Sequence, residues 1–161
     1  MRTLTMIPRV LPICLLMVVM APASIAQTVC KSIKAVQRDE LITSGCTTPL
    51  GFCASGTIDG NHGLQGTSFF SGFSFNPIPS DPFGRLAVPG VTTYTTDDGT
   101  ITISDVSVFD IERGTLAGVG RIVQGTGRFE GAFGDIFTTG RVLSNGTSFI
   151  TEVTGELCLP K

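Results

Sequence analysis

From Phe52 onward, apolar residues recur in short runs rich in Thr, Val, Ile and Phe, interrupted by Gly, Asp and Asn, and no stretch of ten carries a helical stripe. The pattern predicts strands. In the segment 65–75, Phe69, Phe73 and Phe75 share one parity while Gly66, Ser68, Phe70, Gly72 and Ser74 take the other, so the three-ring face is expected in the core. Segments 91–96 and 100–111, joined by Asp97-Asp98-Gly99, read as a hairpin, because Asp-Gly supplies the positive φ that tight turns need. Ile101 and Ile103 share a face, but apolar parity then passes to Val106 and Val108, which predicts a bulge near Asp105 and leaves the face of that carboxylate open. Strands 116–124, 132–143 and 147–159 follow, the last two joined by a turn at Asn145-Gly146. In the final strand Phe149, Val153 and Leu157 oppose Glu152, Thr154 and Glu156. With 52–59 these make seven strands; 29–36 is the eighth candidate, although Ile33, Val36 and Leu41 would also suit a short helix. Consecutive hairpins without crossover helices predict an all-β fold, an antiparallel meander whose closure into an eight-stranded barrel removes exposed edges. The proline-containing segment 76–90 (NPIPSDPFGRLAVPG) is expected to stay out of the ladder and form a long functional loop over one barrel mouth.

The first 26 residues break this pattern. Arg2 and Arg9 flank the start of an uncharged apolar run at 10–20, too short to cross a bilayer, and Pro22, Ser24 and Ala26 follow. They read as a cleavable signal peptide cut after Ala26, which predicts a secreted or periplasmic protein with one domain, 27–161, and no membrane anchor after processing. All four Met and Cys14 fall in that leader. In the remaining domain the 11 basic residues, less Arg2 and Arg9, face 13 acidic ones, so there is no electrostatic reason to bind nucleic acid.

Cys30, Cys46, Cys53 and Cys158 remain, and an even count in an exported chain reads as two disulfides. Three pairings exist. The favoured one joins Cys46 to Cys53 across the turn-prone Thr48-Pro49-Leu50-Gly51 and Cys30 to Cys158 across the ends of the domain. A zinc site is the alternative, opposed by the lack of a CxxC pair and by the single histidine. That histidine, His62, lies in a turn composition (Asp59-Gly60-Asn61-His62-Gly63) without an evident triad.

Asp105, Asp110 and Asp135 lie on or near strands, and any of them facing Arg121 or Arg141 inside a barrel would make a polar pocket; rim or surface charge is the competing reading. Arg128 and Glu130 are expected to form a local ion pair rather than an acid–base couple. The Gly125-Thr126-Gly127-Arg128-Phe129-Glu130-Gly131-Ala132 run does not match GxGxxG, and no GK[ST] is present, so no cofactor is implied. Its glycines suit a tight connection, and Phe129 is placed to plug one barrel end.

This run resembles the GTGRFxGA signature of small exported bacterial proteins of the allene oxide cyclase-like barrel group, distantly akin to plant dirigent proteins. The similarity extends from about Cys46 through Leu159 and takes in Cys46-Thr47-Thr48-Pro49-Leu50-Gly51-Phe52-Cys53, Gly99-Thr100-Ile101-Thr102-Ile103-Ser104-Asp105 and Gly155-Glu156-Leu157-Cys158-Leu159. Phe133 departs from it, standing where a small hydroxyl residue is common. The resemblance implies an eight-stranded barrel, often a homo-oligomer (a trimer by analogy), and it favours Cys30 with Cys158 independently, since dirigent proteins join an N-terminal to a C-terminal cysteine. The catalytic carboxylate and water-holding residues of the cyclases find no counterparts here, so activity does not follow from the barrel. The expected protein is a disulfide-stabilised exported barrel that binds a small apolar ligand or serves as a structural or interaction module. The alternative is isomerase-like, cyclase-like or dirigent-like action on a small apolar substrate inside the barrel.

Overall fold

The computed structural model describes residues 27–161; the signal-peptide expectation lies outside the described residues. Nine strands follow in order: β1 (Thr28–Ile42), β2 (Phe52–Gly60), β3 (Gln65–Gly72), the two-residue β4 (Asn76–Pro77), β5 (Leu86–Thr96), β6 (Gly99–Asp110), β7 (Thr115–Gly125), β8 (Asp135–Val142) and β9 (Ser148–Pro160). The ladder runs β3-β2-β1-β9-β8-β7-β6-β5 and closes through β3–β5, every pairing antiparallel. This is an eight-stranded closed barrel, with β4 a short appendage on the edge of β5.

Period two decides which side chains enter it. In β1, Ile33, Ala35, Gln37 and Asp39 are buried in alternation, so the stretch is a strand rather than a short helix. It runs to Ile42 because β9 pairs along it from Thr28↔Pro160 to Glu40↔Ser148. β9 buries Phe149, Val153 and Leu157 and exposes Glu152, Thr154 and Glu156, as its pattern predicts.

Three expectations from the pattern need correction. Phe69 faces outward and Phe73, just past β3, is exposed, while Ser68, Phe70 and Gly72 face in; Phe75 leaves the β3 pattern altogether and packs on Phe52 at the barrel mouth, part exposed. The small residues are the internal ones because Ser68 hydrogen-bonds the interior carboxylate of Asp39, and a Cβ at Gly72 would come within 3.0 Å of both Phe52 and Val88. From Ile101 to Phe109 β6 keeps one parity, with no bulge at Asp105; the irregularity lies on β7, where Thr102 pairs with Gln124 and Ile103 with Ile122, leaving Val123 as the extra residue. Val106 is 41% exposed, so the apolar run that suggested a parity change is on the outside. Finally, Leu86 to Gly90 belongs to β5, and Pro89 stands opposite Val106 in the ladder. Its carbonyl accepts from Phe73 N–H beyond the end of the β3 ladder, so the missing proline donor faces a side where β3 no longer pairs.

Both favoured disulfides form. Cys30 and Cys158, register partners on β1 and β9, are joined, and Cys46 is joined to Cys53 across the turn where Gly51 N–H donates to Thr48 carbonyl. These bonds occupy the sulfurs a zinc site would need.

One half of the barrel is solid. Ile33, Ile58, Leu64, Ile101, Val153 and Leu157 are all at most 1% exposed and pack around Phe129, which is fully buried. Phe129 ends a single 3₁₀ turn, Gly127–Phe129, that folds back under the barrel. Gly125 makes this approach sterically feasible, since a Cβ there would lie 1.9 Å from the Phe129 carbonyl oxygen. Arg128 pins the turn, though to Asp98 of the β5–β6 turn at 2.8 Å rather than to Glu130. The glycine-rich run is thus the floor of the barrel.

Candidate functional site

Toward the other end the same inward parities change character. On β1, Gln37 and Asp39 follow Ile33 and Ala35; on β6, Asp105 and Ser107 follow Ile101 and Ile103; β5 contributes Thr92 and Tyr94, β8 Thr138 and β9 Thr151. These side chains wall a chamber of about 60 Å³ above the solid half. Gly120 on β7 leaves room for it: a Cβ there would meet Ile103 Cγ2 at 2.6 Å and Asp105 Cβ at 2.7 Å.

The polar groups of the chamber are tied into two sets. Tyr94 Oη donates to Gln37 Oε1 at 2.8 Å, Gln37 Nε2 donates to Asp39 Oδ2, and Ser68 Oγ donates to Asp39 Oδ1. Separately, Thr92 Oγ1 donates to Asp105 Oδ2, whereas the buried Oδ1 of Asp105 has no hydrogen-bond partner. Among the described residues no Lys, Arg or His lines the chamber. Loss of water without a compensating cation disfavours the carboxylate form. Burial therefore pushes Asp39 above the ordinary carboxylate range despite its bonds from Ser68 and Gln37, and pushes Asp105 up to about 6 against the opposing bond from Thr92. Burial, and then the charges of Asp39 and Asp105, hold the Tyr94 phenol protonated.

An aromatic collar separates this chamber from the mouth. Phe52 packs edge-on against Phe70, Phe75 and Phe109 at centroid distances of 6.0, 5.1 and 5.9 Å, and Phe109 against Phe149 at 6.3 Å. Beyond the collar lies an apolar vestibule of about 360 Å³, walled by Leu41, Leu86, Ile111 and Val142 and sharing Phe52, Phe109 and Phe149 with the chamber. The β3–β5 connection is fastened beside it. Phe83 sits under both Arg85 and Arg113, 5.5 and 4.9 Å from its ring centroid, with Asp81 paired to Arg85 and Asp110 to Arg113. Arg85 holds the Asp81 carboxyl down to about 2, and Arg113 lowers that of Asp110.

Of the polar residues singled out from sequence, Asp105 lines the chamber and Asp110 lies at the vestibule wall. Asp135, Arg121 and Arg141 are outside. β7 turns Gly120 and Ile122 inward and β8 turns Ile136 and Thr138 inward, so the intervening Arg121 and Asp135 meet each other on the outer surface at 3.2 Å, and Arg141 is exposed. No carboxylate–arginine pair forms in the interior among the described residues. His62 adopts a positive φ of 57° in the β2–β3 turn, at the solid end. Gln37, Asp39, Thr92 and Tyr94 escaped the sequence reading. The signal was present in β1, where Gln37 and Asp39 continue the parity of Ile33 and Ala35, but it emerges only once that stretch is read as a strand.

No protein-family model matches the chain, and neither curated proteins nor solved structures give a match.

Proposed function

We propose that this protein is an exported, non-enzymatic barrel that binds a small, largely apolar molecule in its open half. The observation that carries the reading is the joining of an apolar vestibule of about 360 Å³ to a small polar chamber through one shared collar of phenylalanines. Ligand pockets typically combine such apolar walls with a few convergent polar groups. Two disulfides support a life in an oxidising compartment, secreted or periplasmic. The signature run supports kinship with the allene oxide cyclase-like barrels. An outward apolar band across register partners Val106, Val119 and Phe137, each at least 41% exposed, supports self-association into a homo-oligomer.

The test is titration with the neutral fluorophore N-phenyl-1-naphthylamine. Saturable one-site binding is expected in the native protein and its loss in Leu86→Trp, which fills the vestibule, with the β-sheet circular dichroism retained. Absence of saturable binding, or equal binding by a folded Leu86→Trp variant, would overturn the reading.

A second reading has its own observation. Burial pushes Asp105 up to about 6 and one of its oxygens has no partner, which suits proton transfer in an isomerase-like, cyclase-like or dirigent-like reaction on an apolar substrate. Turnover of an identified substrate that is unchanged in Asp105→Asn would remove it.

A further inference from the structure

We infer that the chamber selects the head group of its ligand, and that the head group is a hydrogen-bond donor carrying positive charge: a protonated amine at the end of an apolar body. This rests on the ligand-binding reading above and adds the chemical class of the ligand.

Tyr94 spends its hydroxyl proton on Gln37, Ser68 on Asp39 and Thr92 on Asp105. Both oxygens of Asp39 already accept, from Gln37 and from Ser68. What is left over is acceptor capacity: Asp105 Oδ1, which has no partner, and the remaining lone pairs of Tyr94 Oη and Thr92 Oγ1. Ser107, Thr138 and Thr151 line the same space, and as hydroxyls they accept as readily as they donate. The titratable groups facing the chamber are Asp39 from β1, Tyr94 from β5 and Asp105 from β6; β2, β3, β7, β8 and β9 contribute none.

Among the described residues a ligand anion would therefore meet two acids and no cation, and a carbonyl head could use only the hydroxyl protons of Ser107, Thr138 and Thr151 while leaving Asp105 Oδ1 unpaired. An ammonium supplies up to three protons and the charge that compensates Asp105, and it removes the cost of a buried acceptor without a partner. Its size suits the chamber of about 60 Å³, while the apolar body occupies the vestibule.

The experiment is calorimetric titration at pH 7.5 of the intact disulfide-bonded protein with four compounds of one body: 3-phenylpropylamine, 3-phenyl-1-propanol, 3-phenylpropionate and propylbenzene. The amine is expected to bind at least about tenfold more tightly than the alcohol, the carboxylate weakest. In Asp105→Asn the amine and alcohol should converge to within about threefold, and in the native protein the amine preference should shrink as pH falls from 7.5 to 5, as Asp105 takes up its proton. Equal affinities across the series, preference for the carboxylate, or an amine preference undiminished in Asp105→Asn overturns the assignment and leaves the ligand-binding reading standing. So does binding of the naphthylamine fluorophore with none of the four. Failure of all five compounds to bind overturns the ligand-binding reading itself.

Discussion

Tyr94 Oη donates to Gln37 Oε1 at 2.8 Å although their strands, β5 and β1, are not neighbours in the sheet, so the bond crosses the interior of the barrel. It joins opposite walls at the level where the solid half gives way to the chamber. Through Gln37 and Asp39 it continues to Ser68 on β3. Removing the hydroxyl in Tyr94→Phe leaves a buried amide oxygen without its donor, at a cost of about 1–3 kcal/mol. Urea unfolding at pH 7 measures it. An unchanged midpoint would mean that the crossing bond adds nothing to stability.

Asp105 makes stability depend on pH in the direction opposite to a salt-bridged carboxylate. Its folded-state pKa, about 6, lies above the ordinary 3.8, so the folded protein holds the proton more tightly than the unfolded chain. That contribution is intact below about pH 4 and is lost as pH rises through 6, to a total of at most about 3 kcal/mol. Asp105→Asn abolishes the ionisation. The variant should match the native protein near pH 4 and exceed it by about 1–3 kcal/mol at pH 8. Denaturant midpoints at the two pH values decide, and a variant that is less stable at pH 8 contradicts the assignment of Asp105 as a buried acid without a cation.

The two disulfides close loops of very different length, 128 and 7 residues of separation. In the chain-entropy account, replacing Cys30 and Cys158 by Ser should cost about 4–5 kcal/mol, and replacing Cys46 and Cys53 about 2–3 kcal/mol. Thermal unfolding of the two double variants gives the order. The reverse order would indicate that the short bridge holds the mouth in a way loop closure does not capture.

At the floor, Gly125→Ala forces a Cβ to within 1.9 Å of the Phe129 carbonyl oxygen, which is backbone and has nowhere to move without lifting the turn. Phe129→Ala instead leaves the turn alone and empties its place in the core, costing about 3–5 kcal/mol. Both variants should be strongly destabilised. Exposure of the interior, read by the same naphthylamine fluorophore, should rise in both, and a stable Gly125→Ala protein would show that the turn is not tightly seated.

What the sequence makes legible is the outline of the barrel. The alternation in β9, the Asp-Gly and Asn-Gly turns, and the close spacing of Cys46 and Cys53 all depend on local chemistry, and the structure agrees with each. Faces are harder to read where the interior is not uniformly apolar. The outer surface carries Phe69, Val106 and Phe137, and the inner one carries Ser68, Asp105 and Ser107, so hydrophobicity assigns β3 and the middle of β6 to the wrong side. The site consists of the residues that break the pattern: Asp39 and Asp105 are inside because register with β9 and β7 puts them there, and register is a property of the whole sheet.

The split between a solid floor and a hollow top assigns the barrel's two tasks to different residues. Folding draws on Ile33, Ile58, Leu64, Phe129, Val153 and Leu157, none of which touches the vestibule. Leu86, Ile111 and Val142 line the vestibule and belong to no buried cluster, so their shapes are less constrained, whereas Leu41 also packs on Ala54, Phe70 and Val88. If the proposed ligand binding holds, selectivity would therefore be open to reprogramming at the rim. New recognition would arise there by substituting a few side chains, with the stapled base carrying the thermodynamic load throughout.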